Sequence, residues 1–315
     1  MTGRKLRLFA LLRNGMNWAI AQLIFGLLAI LHMFPPEPAL RVLSWLSRKL
    51  GPLLGRHKVA LNNLHLALPE LPKSAHQLIA SDMWENMARL AGEYVFLDDL
   101  FDYDPSTPGP SRIEIIGADL FQKLCGDKKP KIFFTAHMGN FELLPIAAAT
   151  FGLDVTAMFR PPNNAYVAER ILSARKTKMG HLVPSKAGAS ITLARVLEGG
   201  GNIGVLVDQK FNNGIETRFF GVSCVTSPLV AKLARQYDCD IYPAFCIRLP
   251  GGRFRLTLED KLPVPRDTNG KIDQTALMQS INDRVEKWVR MHPGQWMWFH
   301  KRWKIGKVRK SNSNS

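Results

Sequence analysis

Cysteine is scarce here. The chain has four (Cys125, Cys224, Cys239 and Cys246) in 315 residues, with no CxxC pair and no framework of close spacings. This excludes a disulfide-stapled scaffold and a cysteine zinc site, and the four read as reduced thiols. Also missing are a GxSxG elbow, a Walker A loop, a GxGxxG run after a strand and an HExxH pair. Their absence removes the serine hydrolase, P-loop, dinucleotide-binding and zincin readings. Internal repeats are absent too, and nothing in the histidine spacing resembles a metal site. Acidic residues are missing from both ends: residues 1–13 carry +4 and residues 301–315 carry +6 with no Asp or Glu.

What is present is basic charge and an ample apolar fraction. Lys and Arg number 42 against 26 Asp and Glu, a net +16, and 46% of residues are hydrophobic. That length and apolar content are enough to bury a core, which excludes a chain disordered throughout. The two arms leave only +6 for the 287 residues between them. Such charge suits an anionic partner. Nucleic acid fits poorly, because the basic residues are not interleaved with a binding motif and an apolar segment has no place in that reading. Each arm adjoins apolar or aromatic sequence, which favours an anionic membrane surface.

From Asn14 to Phe34 there is no formal charge for 21 residues. About 20 residues suffice to cross a bilayer, but Asn17, Gln22 and His32 interrupt this stretch. Spanning, dipping into one leaflet and lying on the surface all remain open, and basic residues on both flanks do not decide the side. Pro35-Pro36 ends the segment with no small-residue cleavage site, so it reads as a retained anchor.

The expected organisation is a basic arm and anchor over 1–35, a helical part over 36–101, an α/β catalytic part over 102–305 and a polar tail over 306–315. DYDPSTPGPS (Asp102–Ser111) marks the junction. Beyond it, apolar runs predict strands at IEII, KIFFTA, VTAMF, NIGVLV, IYPAFCIRL and RFRLTLE, with helical stretches between several of them. The fold class is α/β: a mixed sheet of five to seven strands sandwiched by helices, with an N-terminal hydrophobic membrane-anchor helix and a helical segment before it. CIRLPGGRFRL predicts an antiparallel hairpin closed by Gly251-Gly252.

The sharpest local feature is KIFFTAHMGNFELLP. His137 follows a buried-looking strand, and Glu142 falls five positions later in the first turn of a helix. On one continuous helix the two would lie roughly 140° apart. They meet only if Gly139-Asn140 bends the chain between them. A carboxylate against the imidazole would then fix its tautomer, as in a base–orienter pair; the plainer alternative is a helix cap and a surface charge. No serine or cysteine beside His137 offers a nucleophile, which points to direct attack by a substrate hydroxyl on an activated acyl group.

His137-Met-Gly-Asn-Phe-Glu142 resembles the H-x4-D/E signature of glycerolipid-type acyltransferases. Three further blocks fall in the order of one branch, the lipid A late (lauroyl/myristoyl-type) acyltransferases: MFRPPNN with Arg160, GVLVDQKFNNG with Asp208 and Gln209 followed by RFFGVSCVTSP, and the closing QWMWFHKRWK. The block after Gln209 departs from the acidic or glycine residue often found there.

The resemblance implies transfer of a fatty acyl chain from acyl-carrier protein to a hydroxyl of the lipid A precursor at the inner membrane, with the catalytic part facing the cytoplasm. His137 would be the base and Glu142 its partner, with no acyl-enzyme, metal or cofactor. Arg160, Asp208, Gln209 and Asn140 are the expected substrate contacts, and helix-terminal N–H groups or Arg160 would hold the oxyanion. Asp208 equally reads as a loop cap, Arg160 as a surface ion pair, and Trp296, Trp298, Phe299 and Trp303 as either a core plug or an interfacial belt. Another glycolipid or lysophospholipid acceptor with acyl-CoA stays open, as does a non-enzymatic basic membrane-surface protein.

Overall fold

The computed structural model describes residues 3–107, 109–176 and 180–303, with side chains described for 11–97, 100–107, 109–170 and 180–303. The side chains of Arg4, Lys5 and Arg7 and the segment 304–315, where much of the arm charge sits, lie outside that description.

Five helices come first: α1 (Gly3–His32), α2 (Pro36–Leu50), α3 (Gly55–Ala67), α4 (Lys73–Glu93) and the single turn α5 (Leu97–Leu100). Strands and helices then alternate through β1 (Ile113–Ile116), α6 (Ala118–Cys125), β2 (Lys131–Thr135), α7 (Leu143–Thr150), β3 (Val155–Phe159), α8 (Ala165–Lys176), β4 (His181–Pro184), α9 (Ala189–Glu198) and β5 (Asn202–Leu206). The chain ends with the hairpin β6 (Ile215–Phe219)–β7 (Val222–Thr226), α10 (Leu229–Tyr237), β8 (Asp240–Leu249), β9 (Arg253–Leu258) and α11 (Gln274–Met291).

Seven strands form one sheet in the order β1-β9-β8-β2-β5-β3-β4, with β6 and β7 paired apart from it. Within the seven-stranded sheet only β8 and β9 pair antiparallel. Their turn is Gly251-Gly252, with φ of 79° and 70°, the left-handed pair that a tight hairpin requires. All six expected strands are present. β4, β6 and β7 were not anticipated, because short strands that mix polar residues lack a clear apolar period.

β2 sits in the middle, and Lys131–Phe134 are buried on both faces, as a central parallel strand requires. Ile132 and Phe134 face one core with Trp288 and Trp296, while Phe133 faces a second with Phe121 and Leu143. Ala60, Leu64 and Met83 from α3 and α4 belong to the first core. The helical part is thus packed into the α/β body, and the boundary drawn near residue 101 does not divide the core. Trp296, Trp298 and Trp303 are buried in that core as well. Of the two readings of the C-terminal aromatics, the plug holds and the interfacial belt does not.

Candidate active site

The site lies where β2 and β5 end side by side. Their parallel register pairs Thr135 with Leu206, so His137 and Asp208, two residues past each, arrive at the same level. C-terminal strand edges are where open α/β sheets place functional groups. Asp208 Oδ1 is 2.8 Å from His137 Nδ1, and Asp208 Oδ2 accepts the His137 backbone N–H at 2.9 Å. The Trp296 indole N–H donates to the same Oδ2 at 2.7 Å. Asp208 therefore orients the ring, a role expected of Glu142. Spacing along the chain favoured the carboxylate five residues away; strand register supplies the one 71 residues away.

Asp208 is almost wholly buried. Burial alone would push its carboxyl up, but the His137 ring and the hydrogen bonds from His137 and Trp296 hold it at about 2. An ionised Asp208 takes the Nδ1–H and leaves the lone pair on Nε2. There the Gln209 side-chain amide lies 3.2 Å away, and the Phe141 ring meets the imidazole edge-on. His137 is bonded to neither serine nor cysteine in this arrangement. Cys246, packed behind the turn, is fully buried, and burial pushes its thiol up to about 12.

The bend between His137 and α7 depends on Gly139, whose φ of 55° is left-handed. Its N–H donates to Gln295 O at 3.0 Å, and Met138 forms an isolated bridge with Trp296. The C-terminal segment thus clamps the turn that carries His137. Asn140 closes it from inside: its Nδ2 donates to Glu93 Oε2 at 2.8 Å, and its Oδ1 accepts the Glu142 N–H at 3.2 Å. Glu93 in turn pairs with Arg248. Asn140 was expected to contact substrate. It is fully buried with both ends of its amide engaged, so it braces the turn instead.

Helix-terminal N–H groups were a second candidate for holding an oxyanion. Those of Glu142, Leu143 and Leu144 already serve Asn140 Oδ1, Asn140 O and Phe141 O, so they are not free to do so. Arg160, immediately after β3, is exposed at the same edge one strand beyond β5. Of Arg160 and Gln209, only Gln209 is brought against the His137 ring, at Nε2.

Beside the turn a narrow apolar cavity runs between the sheet and helices α6 and α7. Thr135, Phe141, Glu142 and Met158 line it along with Phe121, Leu153 and Leu258. Phe141 joins the two regions, packing on the His137 ring and facing the cavity.

Two site residues escaped the sequence reading. Arg302, counted there among the charges of the C-terminal arm, is fully buried; it donates to Thr226 Oγ1 at 2.7 Å, Val225 O at 3.0 Å and Gln209 O at 3.4 Å. It anchors the chain just past Asp208. His300, which no local pattern singles out, is held neutral by burial, its pKa lowered to about 4. Nothing in either local sequence signals this, because both depend on where the C-terminal segment folds back.

A histidine held by a buried carboxylate beside a narrow apolar cavity suits acyl transfer to a hydroxyl, and the chain is an acyltransferase. A family model described as bacterial lipid A biosynthesis acyltransferase matches residues 6–305, and the chain belongs to that family. It is 25% identical over 294 residues to lipid A biosynthesis acyltransferase 2 of Shigella flexneri, covering 92% of this chain and 90% of that protein. It is 24% identical over 279 residues to the lipid A biosynthesis myristoyltransferase of Escherichia coli K12, covering 87% and 83%.

Proposed function

We propose that the chain transfers a fatty acyl group from an acyl-carrier-protein thioester to a hydroxyl of a lipid A precursor, working on the cytoplasmic face of the inner membrane. The observation carrying this reading is the His137–Asp208 pair opening beside the apolar cavity. The cavity takes the acyl chain. His137 Nε2 removes the acceptor hydroxyl proton while Asp208 stabilises the imidazolium, a contribution worth about 10²–10⁴ in rate. The oxygen forms a bond to the thioester carbonyl carbon. The tetrahedral oxyanion is stabilised by Arg160 or the Gln209 amide. Collapse breaks the carbon–sulfur bond, and the departing thiolate takes the proton back from His137. Glu142, five residues past His137, lines the cavity wall and adds a second carboxylate to the site. Arg160 also suits a phosphate of the acceptor through its planar guanidinium.

The test is transfer of labelled acyl groups to a lipid A precursor in detergent, with acyl-carrier-protein and acyl-CoA donors compared. Faster transfer from the carrier protein is expected; acyl-CoA alone as donor, or no transfer to this acceptor, overturns the reading.

Two substitutions probe the site's parts. Trp296→Phe keeps the aromatic packing and removes one donor to Asp208. About a tenfold fall in kcat is expected, with KM nearly unchanged, because one hydrogen bond to a charged group is worth about 1.5–3 kcal/mol. Ala148→Leu adds volume to the cavity wall. Mass spectrometry of products should show preference moving to chains shorter by about two carbons, since each buried methylene is worth about 0.8 kcal/mol.

A further inference from the structure

Among the described residues one helical segment, Leu11–His32 of α1, is long and apolar enough to cross a membrane. Its packing says otherwise. Asn17, Ala21, Ile24, Leu28 and Leu31 are its buried or half-buried positions, with Phe25 beside them, a single stripe at alternating spacings of four and three. That stripe spans about 21 Å of helix. At one end Leu31 joins the second core and the His32 ring meets Phe96. At the other end Asn164 Nδ2 donates to Asn17 O at 2.7 Å, and α1 packs along α8. The helix is docked lengthwise on the body. Were it to cross a bilayer of about 30 Å, the Arg160–Asn164 loop and exposed Glu169 and Arg170 of α8 would be carried into hydrocarbon.

The opposite side of α1 is exposed and apolar: Leu12, Met16, Leu23, Leu27 and Ile30. After Pro35 the same character continues. α2 packs its inner side on α4, yet its outer side presents Val42, Trp45, Leu46 and Leu50, followed by Leu53 at 79% exposure. Arg41 lies at the margin of that face and Lys49 within it near its C-terminal end, both on stems long enough to reach lipid headgroups, and Trp18 and Trp45 are residue types that favour the interface.

The geometry points to a chain seated on one leaflet: α1 and α2 lie flat in the bilayer interface as a continuous apolar sole, and α1 does not cross. This rests on the proposed function only in taking an anionic lipid bilayer as the occupant. It sets the Arg160 loop, tied to α1 through Asn164, beside the surface from which a lipid acceptor would enter.

The test uses the full chain with Cys125, the exposed native cysteine, changed to serine. Asn14→Cys and Ser106→Cys are introduced separately, and each protein is added to preformed phosphatidylcholine vesicles containing phosphatidylglycerol. A membrane-impermeant maleimide should label both sites without detergent. Labelling of Asn14→Cys only after detergent, with Ser106→Cys already labelled, shows that α1 crosses and overturns the proposal. In a second arm, the surface triple change Val42→Glu, Leu46→Glu and Leu50→Glu should lower partition onto these vesicles by about tenfold or more with the circular dichroism spectrum unchanged. Unchanged partition, with a shift from dimer to monomer in detergent, would assign the face to a second copy of the chain instead. Neither readout uses acyl transfer, so failure here is separate from failure of the proposed function.

Discussion

Asp208→Asn should lower kcat for acyl transfer by about 10³–10⁴-fold while leaving the protein folded. The size follows from how the carboxylate is bonded. Oδ2 accepts two donors, the His137 backbone N–H and the Trp296 indole, and Oδ1 faces His137 Nδ1. An asparagine satisfies the two donors with its carbonyl oxygen and turns its NH₂ toward Nδ1. Nδ1 must then accept, the ring proton moves to Nε2, and the lone pair needed for the acceptor hydroxyl is gone. The loss therefore falls on kcat, and KM for either substrate changes little. Acid unfolding gives an independent reading. Because the folded carboxyl is depressed from 3.8 to about 2, its stabilisation is complete above about pH 4 and is lost as pH falls toward 2. The stability difference between wild type and Asp208→Asn should be flat at neutral pH and narrow across that acid window.

Gly139→Ala is expected to be the most damaging small change in the catalytic turn. A Cβ there would lie 2.2 Å from the carbonyl oxygen of Cys246 and 2.8 Å from its carbon, both backbone atoms of β8, an interior strand paired on both sides. The φ of 55° adds strain for any residue with a side chain. Since β8 cannot retreat, the turn must move. The expected cost is about 3–5 kcal/mol, a fall in Tm on the order of 10 °C. A displacement of about 1 Å at the base would cost a further 10² in rate. Gly55→Ala, where nothing lies within 4 Å, should leave both melting temperature and activity unchanged.

These two residues show what could and could not be read along the chain. Gly139 was legible: a histidine and a glutamate five apart can share a site only through a bend, and the glycine lies where the bend must be. The KIFFT strand, the β8–β9 hairpin and the alternating α/β layout were legible for the same reason, since each is dictated by neighbours in sequence. The partner of His137 was not. It comes from the parallel register of β2 and β5, and register between strands some 70 residues apart leaves no local mark. Arg302 was misplaced because a run of Lys and Arg beside tryptophans has the composition of a membrane interface. Folding back over the sheet buries Arg302 against Thr226 and Asn282. α1 is a similar case. Its composition permits a span, and only the stripe from Asn17 to Leu31 shows that one side is already occupied by the body.

The proposed acyl transfer requires His137 to act as the base. The direct measurement is acyl transfer from acyl-carrier protein to the lipid A precursor by His137→Ala beside wild type, each confirmed as folded by its melting temperature. Loss of at least about 10²–10⁴ in kcat is the predicted result; transfer at the wild-type rate by a folded His137→Ala would contradict it.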